Sequence, residues 1–366
     1  MPGPSPSSEA LRCRACGRPG APGDRFCEID GTPLVPAGGG EPAPRGASEP
    51  APHAGSEPVV CACGVDMGVD GGDGYCERCG MLMKPVPAAD AGDEADCEVL
   101  APAPDLAAAT HRGRVHQVDE DAMAVERCEL DGTALHVVVV ADGVSASSHG
   151  EQCSARAVRA ALDTLLSASS GPEPLDAREA LRDAVRAAHR AACAPGIDAA
   201  PGKAPPGTTL VAAIAHGGHV DVAWVGDSRA YLLGPATPGG GHGAAALLTH
   251  DHSWFNEVVE SGELTAAQAT RSRSAHALTR CLGPLEDPDP DHAPEPSLTR
   301  VPAASGSRLV VCTDGLWNSA ATPAELGALA HDDPPAADAR SLAVTLVRRA
   351  FAIGGTDDVT AAVAFL

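Results

Sequence analysis

Five short stretches of this chain place an acidic residue at the end or edge of an apolar run. They are Glu120-Asp121 before Ala-Met-Ala-Val, Asp142-Gly143 after a run of valines, Gly226-Asp227, Asp314-Gly315, and Asp357-Asp358 before Val-Thr-Ala-Ala-Val. One such corner reads as a strand followed by a turn. Five in one region are what a cluster of hard cations requires, because carboxylates gathered without cations repel one another and are costly to desolvate. Carboxylate, carbonyl and water ligands select magnesium or manganese over softer ions. Solvated strand-end turns on an acidic protein are the other reading that spacing leaves open. At the Asp142 corner, residues 137–141 are β-prone and long enough to cross a sheet core. Gly143 permits a turn with positive φ and leaves its carbonyl uncovered, so the corner offers both a side-chain and a main-chain oxygen.

A second chemistry-bearing pattern lies nearer the start. Of 13 cysteines, seven precede residue 80 in short-spaced pairs. Cys61, Cys63, Cys76 and Cys79 have zinc-ribbon spacing, with one residue instead of two inside the first pair. Cys13, Cys16 and Cys27 form a similar unit in which Asp30 stands where the fourth thiolate falls. Segments this small cannot bury enough apolar surface to fold alone, so bound Zn(II) supplies the missing free energy. Such closed sites are structural, and they resemble double zinc ribbons found as adaptor modules. The expected organisation is a three-cysteine ribbon-like unit at 1–35, a disordered linker at 36–58, a second ribbon at 59–84, a linker at 85–105, and a large domain at 106–366.

A formal charge of -23, with Lys84 and Lys203 the only lysines, opposes nonspecific binding to nucleic acid or anionic lipid. The chain carries no signal-peptide pattern and no eighteen-residue apolar span, so no membrane role and a cytoplasmic location are expected. Within 106–366 the periodicity predicts helices at 151–167, 176–193, 323–330 and 337–353, with Asp176 and Glu179 as a capping box. Strands are predicted at 208–215, 220–225, 229–233, 307–313 and 359–365. Strands arriving in consecutive groups, with helices between the groups, argue an α+β fold with largely antiparallel sheets.

The blocks GRVHQVDEDA (113–122), VVVVADGV (137–144), GTTLVAAIA (207–215), WVGDSRAYLL (224–233), LLTHDHSW (247–254), LTRCLG (278–283), LVVCTDGLWN (309–318) and GGTDDVT (354–360) occur in the order of the metal-dependent type 2C protein serine/threonine phosphatases. The large domain therefore resembles that family over nearly all of 107–366. The resemblance implies a four-layer α-β-β-α sandwich with a binuclear Mn(II) or Mg(II) centre at one rim. It implies that Asp142 bridges two ions, that the Gly143 carbonyl and Glu120 complete one, and that Asp314 and Asp357 hold the other. Asp227 with Asp314 then serves a weaker third ion, Asp121 orients the water, and residues 252–274 form a mobile flap. A water shared by two metals becomes hydroxide near neutral pH and attacks phosphorus in line, so no protein nucleophile is required. The implied partners are a phosphoprotein substrate and a cognate Ser/Thr kinase, with the ribbons docking one of them.

The chain departs from the family pattern at three positions. His116 stands where an arginine usually grips the substrate phosphate, Asp119 replaces an asparagine, and Asp358 replaces another. A neutral imidazole cannot make the bidentate clamp of a guanidinium, and Arg112 or Arg114 would have to reach in instead. A catalytically impaired pseudophosphatase that acts as a binding module is the competing reading.

Overall fold

The computed structural model describes residues 97–366 apart from 172, 195, 197, 198, 200–202, 236–242, 332–335 and 355, together with short strands at 11–13 and 34–36. The chain divides into two units, Met1–Ser56 and Glu57–Leu366. In the first, β1 (Leu11–Cys13) pairs antiparallel with β2 (Leu34–Pro36). Cys16, Cys27, Cys61, Cys63, Cys76 and Cys79 lie outside the described residues.

The second unit is built on strands β3 (Glu98–Ala103), β4 (Leu106–His111), β5 (Asp121–Leu130) and β6 (Thr133–Asp142), then helices α1 (Gly150–Ser169) and α2 (Ala177–Ala192). Strands β7 (Leu210–His216), β8 (His219–Val225), β9 (Arg229–Leu233) and β10 (Ala245–Leu247) follow, with short helices α3 (Trp254–Glu260) and α4 (Ala266–Ala269). The chain continues through β11 (Ser297–Pro302), β12 (Arg308–Cys312), α5 (Asp314–Trp317), α6 (Pro323–Leu329), α7 (Ala339–Ile353) and β13 (Val359–Phe365). Among the described residues every strand ladder is antiparallel. One sheet has the order β10-β9-β12-β13-β4-β3 and the other β11-β8-β7-β6-β5.

The unbroken valine run of β6 is explained by burial on both faces. Val137, Val139 and Ala141 pack under α1 and α2 with Ala157, Ala161, Leu165 and Leu181, whereas Val138 and Val140 face Leu309, Val311 and Ala362 of the other sheet. The outer face of the six-stranded sheet packs on α7 through Leu342, Leu346 and Val347. Four layers result, as the resemblance implied, and small aliphatics fill the gaps between them. Among the described residues no helix is long and apolar enough to cross a membrane.

Two local expectations need correction. The N-cap of α2 is only half a capping box: Asp176 accepts from the N–H groups of Arg178 and Glu179, but the Glu179 carboxylate is drawn outward to Arg182 and Arg186. Complete boxes occur instead at Thr265 with Gln268 and Thr322 with Glu325. The stretch read as a linker at 85–105 also contains β3, an edge strand that tolerates Pro102 because an edge leaves one row of backbone donors unpaired.

Candidate active site

The β5–β6 register sets Asp121 directly opposite Asp142 where these strands end. The Asp142 backbone is pinned on both sides: its N–H donates to Thr209 Oγ1 at 2.9 Å, and its carbonyl accepts from Thr208 Oγ1 at 2.9 Å and Thr209 N at 2.8 Å. The side chain is left to line a cavity. Asp314 arrives at the start of α5, just beyond β12, and Asp357 just before β13, and these two strands pair. The Asp314 carboxyl is within hydrogen-bonding reach of both Asp142 and Asp357. Asp142, Gly143, Asp227, Asp314 and Asp357 line a single cavity of about 590 Å3.

Crowding raises the proton affinity of the whole group. Burial, reinforced by Asp121, Asp314, Asp357 and Asp227, pushes the Asp142 carboxyl well above the ordinary carboxylate range. Burial is also the main cause at Asp314, Asp357 and Asp227, each pushed up to about 7. A second carboxylate adds to each: Asp227 for Asp314, Asp314 for Asp357, and Asp251 for Asp227. Among the described residues, no three His, Cys, Asp or Glu side chains close into a ready-made cage around one ion. The fit to metal rests instead on the donor set, which is all oxygen, on this mutual repulsion, and on Glu120. Glu120 Oε2 is buried with no hydrogen-bond partner, a costly state that a cation would relieve.

Glu120 is not among the residues lining the cavity with Asp142. Its backbone carbonyl accepts from Gly143 N at 3.0 Å, its N–H donates to Asp358 Oδ2 at 2.7 Å, and Ser145 bonds its carboxyl. Gly143 does not adopt positive φ, contrary to expectation. Its glycine is required by packing, since a Cβ there would lie 2.5 Å from the Gly150 carbonyl carbon and 2.8 Å from the Glu120 oxygen. Asp121 is enclosed between the sheets, where Oδ2 accepts from Thr313 Oγ1 at 2.8 Å and Thr360 Oγ1 stands 2.7 Å away. Asp119 folds back to accept from Thr110 Oγ1 at 2.8 Å and from Asp121 N at 3.0 Å. Asp227 is braced through its carbonyl by Trp317 Nε1 at 2.9 Å, and Arg229 stacks on that indole at 3.8 Å while gripping Asp251 with two nitrogens.

Two of the departures from the family pattern turn out to be partners. His116 Nδ1 lies 2.8 Å from Asp358 Oδ2 and its Nε2 lies 3.7 Å from Asp357 Oδ1. The hydrogen bond to Asp358, and then the charges of Asp357 and Glu120, push the imidazole up to about 9, against the opposing effect of burial. In the metal-free chain these carboxylates favour the protonated imidazole over the neutral ring that was expected. Neither neighbouring arginine reaches in: Arg112 caps the His116 carbonyl, and Arg114 lies 4.5 Å over the Phe351 ring. Sequence reasoning gave Asp358 no role beyond an added charge. It also passed over Arg280, which lines the same cavity with His276, Thr279 and Glu286 and lies within the LTRCLG block.

His252 is structural. Its Nδ1 accepts from Gly226 N at 3.1 Å, Ser297 Oγ lies 2.9 Å from Nε2, and burial pushes it down to about 4. The stretch 252–274, expected to be a flap, contains α3 and α4 and is tied to the cavity wall by hydrogen bonds from Trp254 N to Ala277 O and from Thr279 N to His252 O.

Residues 109–334 match the family described as Protein phosphatase 2C. The chain is 30% identical over 258 residues to the serine/threonine protein phosphatase PstP of Mycobacterium tuberculosis, a match covering 70% of this chain and 44% of PstP. It is 29% identical over 259 residues to the serine/threonine phosphatase stp of Listeria innocua, covering 69% of this chain and 91% of that protein. The crystal structure of the PstP catalytic domain, solved with two manganese ions, superposes with a TM-score of 0.52 at 25% identity, over 74% of this chain and 97% of that one. Two antiparallel sheets flanked by helices, with acidic corners converging from both, thus coincide with a match over more than half the sequence, and the chain belongs to the protein phosphatase 2C family of serine/threonine phosphatases.

Proposed function

We propose that this chain hydrolyses phosphoserine and phosphothreonine esters on a protein substrate in a metal-dependent reaction. The observation that carries the reading is the convergence of Asp142, Asp227, Asp314 and Asp357 on one open cavity, although they are delivered from strands of different sheets. Asp142, Gly143, Glu120, Asp314 and Asp357 would hold a pair of manganese or magnesium ions, and Asp227 with Asp314 a third. When bound, the ions supply an acidified water as nucleophile and neutralise charge on the phosphoryl oxygens. PstP, solved with two manganese ions, supports the choice of metal.

The protein's own groups do the rest. Asp121, held by Thr313 and Thr360, fixes the strand end that presents Asp142. His116, protonated and held by Asp358, presents Nε2–H at the rim beside Asp357 and takes over phosphate contact there. One N–H replaces a two-pronged guanidinium, so the substitution weakens substrate binding more than the chemical step. Burial pushes the thiols of Cys153 and Cys281 up to about 12, so neither competes as a nucleophile.

The cysteine-rich units before residue 85 are zinc-binding modules that dock the phosphoprotein or its Ser/Thr kinase. Their cysteine spacing supports this reading, and zinc counted in the full chain, with loss on Cys76→Ser, tests it. The competing reading of an impaired phosphatase acting as a binding module is favoured by His116 and Asp119 alone. A phosphothreonine peptide in Mn(II) separates the two: saturable phosphate release that disappears in Asp142→Asn supports the enzyme. A silent wild type, awakened by the double change His116→Arg with Asp358→Asn, supports the module.

A further inference from the structure

A second cavity, of about 380 Å3, opens on the helix-covered side of the five-stranded sheet, well down the strands from Asp142. Its floor is Asp221 of β8, which pairs with Ile214 on one side and Arg300 on the other. Asp221 is only 4% exposed, and its Oδ1 is buried without any hydrogen-bond partner. Arg300 Nε stands 3.8 Å from Oδ2, too far for a hydrogen bond, and the Arg300 side chain is half exposed. A sheet carboxylate with one buried oxygen left unpaired is costly, and burial raises its proton affinity despite Arg300, His219 and Arg178.

Two further acids, Asp131 from the β5–β6 turn and Glu173 from the α1–α2 connection, share this cavity. His216 joins them, with its Nδ1 already engaged at 3.2 Å by the Ala134 carbonyl. Three carboxylates and one guanidinium line the cavity, and Arg178 and His219 act on Asp221 from beyond the lining, so the lining itself carries net negative charge. Among the described residues no group of three ligating side chains suits a metal ion. Leu175 and Ile214 supply apolar wall between the acids, which a bare ion cannot use but a methylene chain can.

We propose that this cavity binds an alkylammonium group, with the ammonium against Asp221 and Glu173 and its carbon chain along Leu175 and Ile214. The same chemistry comes either from a free diamine or from a lysine side chain of a partner protein. The site is separate from the phosphatase cavity and independent of the proposed hydrolysis.

Calorimetric titration of the full chain at 0.15 M salt tests this with putrescine and with N-acetyl-lysinamide, and with N-acetyl-norleucinamide as the uncharged control. One saturable site for either amine is expected, weakened about tenfold or more in Asp221→Asn and severalfold in Glu173→Gln, as when one partner of a buried charge pair is removed. Glu173 is exposed, so its variant remains informative if Asp221→Asn does not fold. Tighter binding of putrescine assigns the site to a free diamine, and tighter binding of the lysine derivative assigns it to a partner's side chain. No saturable site for either amine, equal affinity in both variants, or equal binding of the norleucine control overturns the proposal.

Discussion

The five-stranded sheet buries carboxylates in two places, and they differ in how many others each one meets. Asp142 is crowded by Asp121, Asp314, Asp357 and Asp227, which come from both sheets and from the loops beyond their ends. Asp221, on the same sheet, meets chiefly its own desolvation and an arginine 3.8 Å away, with weaker effects from His219, Arg178 and Asp176. Desolvation is the leading cause of a raised proton affinity at both. What separates them is convergence: several negative charges on a single cavity call for multivalent cations, whereas dispersed acids with apolar wall between them suit one organic cation. A strongly shifted carboxyl is therefore a poor guide to chemistry until its neighbours are counted.

That contrast is broken most sharply by neutralising one carboxylate at each place. Asp142→Asn should lower metal-dependent phosphate release about 1,000-fold, equivalent to about 4 kcal/mol of barrier, while Asp221→Asn leaves it unchanged. Comparable losses from both substitutions, in steady-state assays, would erase the distinction drawn between the two places.

Proton linkage sharpens it further. Asp314, Asp357 and Asp227 are raised from 3.8 to about 7, so the metal-free folded chain holds protons that the unfolded chain has released. Their contribution to stability is complete below the unfolded value of 3.8 and is lost as pH rises through about 7. Mn(II) removes the repulsion that appears over this range. Its gain in thermal midpoint should accordingly be larger at about pH 8 than at about pH 5.5, by scanning calorimetry. Equal gains at both values would mean that the carboxylates do not share the ion.

The His116–Asp358 pair makes a smaller demand. His116→Ala should raise KM about tenfold with a lesser change in kcat, as expected when a charged hydrogen-bond donor to substrate is removed. Introducing arginine and asparagine together at 116 and 358 should recover more activity than the sum of the single changes, with a coupling of about 1 kcal/mol or more. Additive effects in the double-mutant cycle would dissolve the pair. Smallest of all, Asp176→Ala should cost about 1 kcal/mol of stability through the lost N-cap of α2, without touching turnover. Denaturant titration reads this directly.

Much of this site is legible in the sequence because strand-end acids are local signals. An apolar run followed by Asp, with Gly beside it, announces both a strand and the side chain it delivers. The His116–Asp358 contact is not local, since 242 positions separate the two residues and only the folded sheets bring them together. Read singly, each is a loss, of an arginine and of an asparagine, whereas together they form a hydrogen-bonded pair. Gly143 was assigned to the right place for the wrong reason, because φ is a property of one residue while the contacts with Gly150 and Glu120 depend on tertiary packing. Strand β3 was hidden by Ala, Pro and Glu, a composition that reads as linker and is tolerated only because the strand lies at a sheet edge.

The most direct trial of a shared-ion cluster is crystallographic. Crystals of the full chain grown with Mn(II) should show at least two anomalous peaks at the manganese edge, both within coordination distance of the Asp142 carboxylate and flanked by Asp314, Asp357 and the Gly143 carbonyl. A single peak remote from Asp142, or none in that cavity at saturating metal, would contradict it.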